Sequence, residues 1–266
     1  MPDNNVAKLT KNNGLSVVII TYNEEKNIGR CLESVKELAD EILVVDSFST
    51  DATEEICRHH GVKFVKHAFA GHIEQKNYAA GLASTDWVLS LDADEALTPE
   101  LKESISKVLE NPHFKAYKMN RLTSYCGKWI RHCGWYPDTK ARLWNRHAGS
   151  WGGTNPHDRW ELHGRGKHYG KLKGDLLHYS YYSVSDHLKQ IEYFSEIAAK
   201  AESAAGKNPS IPKIILGPAV KFIKSYFFQL GFLDGYYGFV ICRLSAMASF
   251  AKYVKTRMYA RESRKE

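Results

Sequence analysis

Asp92 and Asp94 stand one residue apart at the end of an apolar run, WVLSL (residues 87–91), and Glu95 follows them. An Asp-x-Asp in that place can hold a hard divalent cation against phosphate oxygens. Magnesium takes one or two carboxylates and leaves the rest of its shell to substrate phosphate and water. The same residues could equally form a solvated acidic turn that caps the next helix. Two further polar clusters end apolar runs: Thr21-Tyr22-Asn23-Glu24-Glu25 after LSVVIIT (15–21), and Asp46 to Asp51 after ILVV (42–45). Asp51 reads either as a ligand contact or as a favourable charge in a first helical turn. Asp46, directly behind a buried run, suits hydrogen bonding to a nucleobase or ribose. His178, in the apolar context LLHY, is either a metal ligand or a satisfied core histidine.

The elements that must position these groups alternate in type. The β-branched run 15–21 is too short for a helix and reads as a strand buried on both faces. Residues 24–38 read as a helix, with Ile28, Leu32, Val35 and Leu38 three or four apart. A strand over 42–45 and a helix over 51–60, capped by Ser49 or Thr50, come next. A strand over 62–65, a helix over 73–82, a strand over 87–91 and a helix over 99–109 with Pro99 at its first position complete the series. Such alternation predicts an α/β fold with a mostly parallel sheet covered by helices on both faces. Ligands of such sheets bind beyond the carboxyl ends of the strands, where all three polar clusters fall. Residues 115–173 read as short strands and loops rich in Trp, Gly, His and Arg, and 183–205 as a helix. Trp129, Trp135, Trp151 and Trp160 could form a sugar-stacking wall or simply pack.

Composition narrows the class. The chain has 266 residues and a formal charge of +7. Residues 211–266 hold ten Lys or Arg against three Asp or Glu, so the first 210 residues balance at 27 of each sign. A neutral body with a basic aromatic tail points to an anionic membrane surface and not to nucleic acid. No charge-free stretch of the tail exceeds nine residues (225–233), short of the roughly twenty needed to span a bilayer. Five scattered cysteines argue against a disulfide framework. The polar start, residues 1–14, lacks the apolar core of a signal peptide, so a cytoplasmic protein is expected. No G-x-G-x-x-G or G-x-x-x-x-G-K-[ST] follows the first strand, which disfavours a nicotinamide dehydrogenase and a P-loop enzyme.

Taken in order, VVIITYNEEKNI, EILVVDSFSTDAT and DWVLSLDADE resemble the family 2 glycosyltransferases of GT-A (Rossmann-like) fold, and among these the bacterial lipopolysaccharide-core β-glucosyltransferases. YPDTKARLW (136–144), NPHD (155–158), LLHYSY (177–182) and FLDGYYGFVICRLSAMASFAKYVK (232–255) extend the resemblance over nearly the whole chain. It implies inverting transfer of a hexose, glucose foremost, from a UDP-sugar to a lipid-linked glycan such as lipopolysaccharide core, with Mg2+ or Mn2+. Asp94 would bind the metal, with Asp92 on the ribose or a metal-bound water. Thr21, Tyr22, Glu24, Asp46, Asp51, Lys76 and Ala93 would line the nucleotide site. Asp158 would be the general base, where the related enzymes more often carry His-Glu, with Asp138 as the alternative. The organisation expected is a polar segment (1–14), a catalytic domain (15–210, its donor half 15–110 and acceptor half 111–210) and a helical membrane-associating tail (211–266), on the inner face of the cytoplasmic membrane. The rivals are a sugar nucleotidyltransferase, which should carry a Gly- and Arg/Lys-rich loop after the first strand, and a non-enzymatic glycan-binding scaffold at a membrane.

Overall fold

A computed structural model gives the fold. It describes residues 14–154, 157–164 and 168–262; the expected polar segment lies outside these except for Gly14, as do Asn155 and Pro156. In chain order the elements are β1 (Leu15–Thr21), α1 (Ile28–Val35), β2 (Glu41–Asp46), α2 (Thr53–His59), β3 (Lys63–Lys66), α3 (His72–Gly81), β4 (Trp87–Asp92), β5 (Glu95–Leu97) and α4 (Pro99–Glu110). Then come β6 (Ala116–Tyr125), β7 (Lys128–Ile130), β8 (Asp138–Asn145), β9 (Gly149–Thr154), β10 (His157–Leu162), β11 (Gly170–Tyr181), α5 (Val184–Ala204), α6 (Ile211–Ile223) and α7 (Gly235–Glu262). The α/β class and the C-terminal helices are as the sequence implies.

The chain divides into two compact units, Met1–Arg121 with Thr139–His178, and Leu122–Asp138 with Tyr179–Glu266. This differs from the boundary expected near 210, because α5 packs with α7 and belongs to the second unit.

In the first unit the sheet order is β3-β2-β1-β4-β8-β6-β11-β5. β3, β2, β1 and β4 are parallel neighbours, while β8 on β4 and β5 on β11 are antiparallel. Side chains of the central strands alternate between two cores, as a period of two requires. Leu15, Val17 and Ile19 pack with Ile28 and Leu32 of α1 and Leu101 and Ile105 of α4. Val18, Leu43 and Val45 pack with Ala79 of α3 and with Trp144, Trp151 and Trp160. Register aligns the strand ends: Thr21 lies beside Asp46, and Ile20 beside Asp92.

Three local expectations change. Neither Ser49 nor Thr50 caps α2; its N-cap position is Ala52, and Asp51 just before it accepts the Thr53 amide on Oδ1 at 3.0 Å. The region from 115 onward contains not only short strands but the ten-residue β6 and twelve-residue β11, which complete the sheet. Of the four candidate wall tryptophans, Trp151 and Trp160 are core residues and not a sugar-stacking face. Trp151 and Trp160 are buried around Trp144, with Trp160 stacked on it at 4.9 Å, whereas Trp129 and Trp135 belong to the second unit and pack on Tyr179 and Tyr181 there. Aromatic rings this large gain more from a dry core than from a half-wet face.

In the second unit, Ser183 and Asp186 form a reciprocal cap at the start of α5. Lys252 and Lys255 of α7 pair with Glu202 and with Glu192 and Glu196 of α5. Gly238 lets α7 approach the 3-10 turn Gly231–Asp234, since a Cβ there would lie 1.9 Å from the Gly231 carbonyl oxygen. Among the described residues, no helix is long and apolar enough to cross a membrane.

Candidate active site

The site gathers at the carboxyl ends of β1, β2 and β4, and is framed by β8, β10, β11 and α3. Asp92 ends β4 and Glu95 opens β5, so the two residues between them make a tight turn. Glu95 is buried and holds the turn from within: its Oε2 accepts the Asp92 amide at 3.0 Å, and its Oε1 accepts from Arg142 Nη2 at 2.8 Å and Arg121 Nη1 at 3.3 Å.

Asp92 and Asp94 lie in different surroundings. Asp92 Oδ2 accepts from Arg142 Nη2 at 2.6 Å, while its Oδ1 lies 3.2 Å from Lys76 Nζ, an ion pair whose angles do not make a hydrogen bond. Burial would raise this carboxyl, but Arg142 and Lys76 hold it well below the usual carboxylate range. Asp94 turns to β11, where its Oδ2 lies 3.1 Å from His178 Nε2. Burial opposes its ionisation as well, and the charge and hydrogen bond of His178 outweigh that and lower its pKa. An oxygen and a nitrogen about 3 Å apart match adjacent ligands of an octahedral ion with bonds of about 2.1 Å, so this donor pair fits a divalent metal. Among the described residues no three His, Cys, Asp or Glu side chains gather into a metal cage. The pair leaves most of a shell to water and phosphate.

Lys76, on α3 and almost fully buried, bridges two acids. Its Nζ reaches Asp92 and also donates to Asp158 Oδ2 at 2.8 Å, and it sits 4.6 Å from the centre of the Trp151 ring. Asp158 therefore joins the site through β10 as a partner of Lys76. Arg159 pairs with Glu161 on the surface. Asp138, the alternative base, opens β8 within the second unit.

The nucleotide-site candidates of the first two strands form one laced structure. Asn23 donates its amide to Ser49 Oγ at 2.8 Å and accepts the Thr50 amide at 2.8 Å. The Glu24 amide reaches Thr53 Oγ1 at 2.8 Å, and the Glu25 amide reaches Asp51 Oδ2 at 3.0 Å. Asp46 is fully buried and spends its carboxylate on the amide and hydroxyl of Ser49, which steadies Phe48 at φ 62°, a left-handed conformation that a bulky residue rarely adopts. Asp51 is lowered because hydrogen bonds from Thr53 and Glu25 outweigh the burial that would raise it. Thr21 Oγ1 is buried with no hydrogen-bond partner among the described residues, Ala93 is buried, and Tyr22 is exposed. Thr21 is thus a polar atom in need of a ligand at the strand end.

Glu24 makes the loop sensitive to pH. Burial pushes its carboxyl up to about 7; the Asn27 hydrogen bond pulls back, and Asp94, Asp51 and Asp92 add repulsion. The ordinary value is 4.5, so the folded chain holds this proton more tightly than the unfolded one. The resulting stability is fully present below the ordinary value and is lost as pH rises through about 7. Glu24→Gln should therefore melt with wild type near pH 4 and roughly 2–5 °C above it near pH 8. Equal melting at both pH values overturns this.

Sequence reasoning missed Arg142 and Glu95. Arg142 is 2% exposed, and besides its two carboxylate bonds its Nε and Nη1 have no hydrogen-bond partner among the described residues. Its signal was present in YPDTKARLW: Arg142 and Trp144 share the face of β8 opposite Leu143, so a cation alternates into a core position.

Known proteins resemble this chain along most of its length. The profile described as "Glycosyl transferase family 2" matches residues 16–161. An uncharacterised glycosyltransferase of Rickettsia typhi is 31% identical over 259 residues, covering 94% of this chain and 89% of that one. The lipopolysaccharide core biosynthesis glycosyltransferase LpsC of Rhizobium meliloti is 27% identical over 253 residues, 91% of each. Among solved structures, S. aureus TarS (residues 1–349) is 15% identical with a TM-score of 0.46, covering 95% of this chain and 91% of that one.

Proposed function

The chain belongs to glycosyl transferase family 2 and is a glycosyltransferase, and from that premise we propose that it moves a hexose, glucose foremost, from a UDP-sugar to a lipid-linked glycan of the lipopolysaccharide-core type at the cytoplasmic face of a membrane. The observation that carries the reading is the Asp94–His178 pair, 3.1 Å apart, beside Asp92 at the end of β4. The likeness to LpsC supports the class of acceptor.

Asp94 and His178 would hold Mg2+ or Mn2+, a Lewis acid that offsets the charge growing on the departing diphosphate. The other roles fall to the chain's own side chains. Thr21 and Tyr22, with Glu24 and Ala93, would line the nucleoside site, while Asp46 through Ser49, and Asp51 through Thr53 and the Glu25 amide, hold the loops that frame it. Arg142 and Glu95 fix Asp92 in one orientation. Lys76 would be the cation drawn to the diphosphate, which frees Asp158 to take the proton of the acceptor hydroxyl. Inversion in one displacement needs such a base on the face opposite the leaving group.

The test is a panel of UDP- and GDP-sugars with and without manganese, read as donor consumed and sugar transferred. A UDP-hexose should be turned over only with the metal; failure with every donor overturns the reading. Asp158→Asn should keep donor affinity and lower transfer about a hundredfold. A matching collapse of donor affinity moves Asp158 to the donor site, and no change passes the role to Asp138.

A further inference from the structure

The helices of the second unit carry an apolar surface that sugar transfer does not use. α6 buries only Ile214, while Leu216, Val220 and Ile223 are exposed, Val220 at 62%. With Phe227 in the π turn Lys224–Phe228, they recur at i, i+4, i+7 and i+11 and make one face. Phe228 beside them is 80% exposed, and Tyr236 at the start of α7 is 73% exposed. On a helix facing water that side should be polar; here the apolar stripe is the uncovered one.

Charge indicates what covers it. Residues 211–233 contain Lys213, Lys221 and Lys224 and no Asp or Glu. The basic charge of the tail is divided in its use. Lys252 and Lys255 are engaged by glutamates of α5, whereas among the described residues Lys221 and Lys224 make no ion pair. A second copy paired face to face would bring like-charged lysines together. An anionic surface would meet both the lysines and the apolar stripe.

We propose that α6 and the π turn that follows it dock on an anionic lipid bilayer. The helix lies in the plane of the headgroups, with Leu216, Val220, Ile223 and Phe227 toward the acyl chains and Lys221 and Lys224 at the lipid phosphates. This is an in-plane mode of binding, consistent with the absence of a spanning helix among the described residues. It adds a surface to the transferase reading and does not depend on it.

Vesicle flotation of the full chain tests the docking without reading sugar transfer. Wild type should float with phosphatidylcholine–phosphatidylglycerol vesicles and weaken as salt rises. Phe227→Asp with Phe228→Asp should cut partitioning at least about tenfold on any vesicle. Lys221→Glu with Lys224→Glu should cut it about tenfold on anionic vesicles alone and abolish the salt dependence. Both pairs are exposed, and unchanged circular dichroism and melting establish that each variant is folded. Wild type that stays at the bottom of the gradient overturns the proposal, as do folded variants that partition like wild type. A concentration-dependent dimer lost in the Phe227/Phe228 variant, with no flotation by wild type, assigns the face to a second copy and overturns it too.

Discussion

Replacing Asp94 with alanine is expected to lower sugar transfer by about a thousandfold or more while the melting temperature stays near that of wild type. The rate falls because Asp94 supplies the anionic half of the proposed metal pair, and charge stabilisation by such an ion is worth several kcal/mol in the transition state. The fold survives because the side chain is only partly buried and its ion pair with His178 is not part of the apolar core. Manganese affinity, followed by calorimetry without any sugar, should fall in parallel. Asp92→Ala should lose less, since Asp92 is already neutralised by Arg142 and Lys76. Turnover of Asp94→Ala within tenfold of wild type, or unchanged manganese affinity, would remove Asp94 from the metal site.

Arg142→Met should destabilise the chain by about 3–5 kcal/mol, since it removes the nearer of the two cations that compensate a buried carboxylate. Glu95 is the residue that suffers. Its side chain has no solvent exposure, and Arg121 at 3.3 Å is its remaining cation. Asp92 is eased by Lys76 and loses less. The double variant Arg142→Met with Glu95→Gln should therefore regain a good part of the loss, because it removes the orphaned charge as well as its partner. Urea unfolding followed by tryptophan fluorescence measures both. A cost below about 1 kcal/mol for Arg142→Met, or no recovery in the double variant, would show that this pair does not set the stability of the site.

These two sites differ in how far the sequence revealed them. Asp92 and Asp94 were legible because a strand buried on both faces announces itself as an apolar run, and the residues after it must then lie at the binding edge. The pairing of Asp94 with His178 was only half legible, since His178 sits 84 residues away on a strand whose register no local pattern fixes. The partners of Arg142 were not legible, because they are set by the antiparallel placing of β8 against β4, a long-range fact. Lys76 was placed near the nucleotide by resemblance, but its bridge to Asp158 depends on how β10 folds back over α3. The tail was read as one basic, aromatic stretch. Only the helix pairing reveals that Lys252 and Lys255 serve α5 while Lys221 and Lys224 remain free of acidic neighbours in sequence.

The lacing of the first two strand-end loops has a thermodynamic consequence. Asn23, Glu24 and Glu25 are tied to Ser49, Thr50, Asp51 and Thr53 before any nucleotide arrives. A floppy loop loses backbone freedom of about 1–2 kcal/mol per residue when a ligand orders it, and that penalty is subtracted from affinity. Here folding has already absorbed it. On the proposed reading, nucleotide recognition at this edge would be closer to a key entering a finished lock than to a hand closing, and what motion the catalytic cycle needs would be drawn from other parts of the chain.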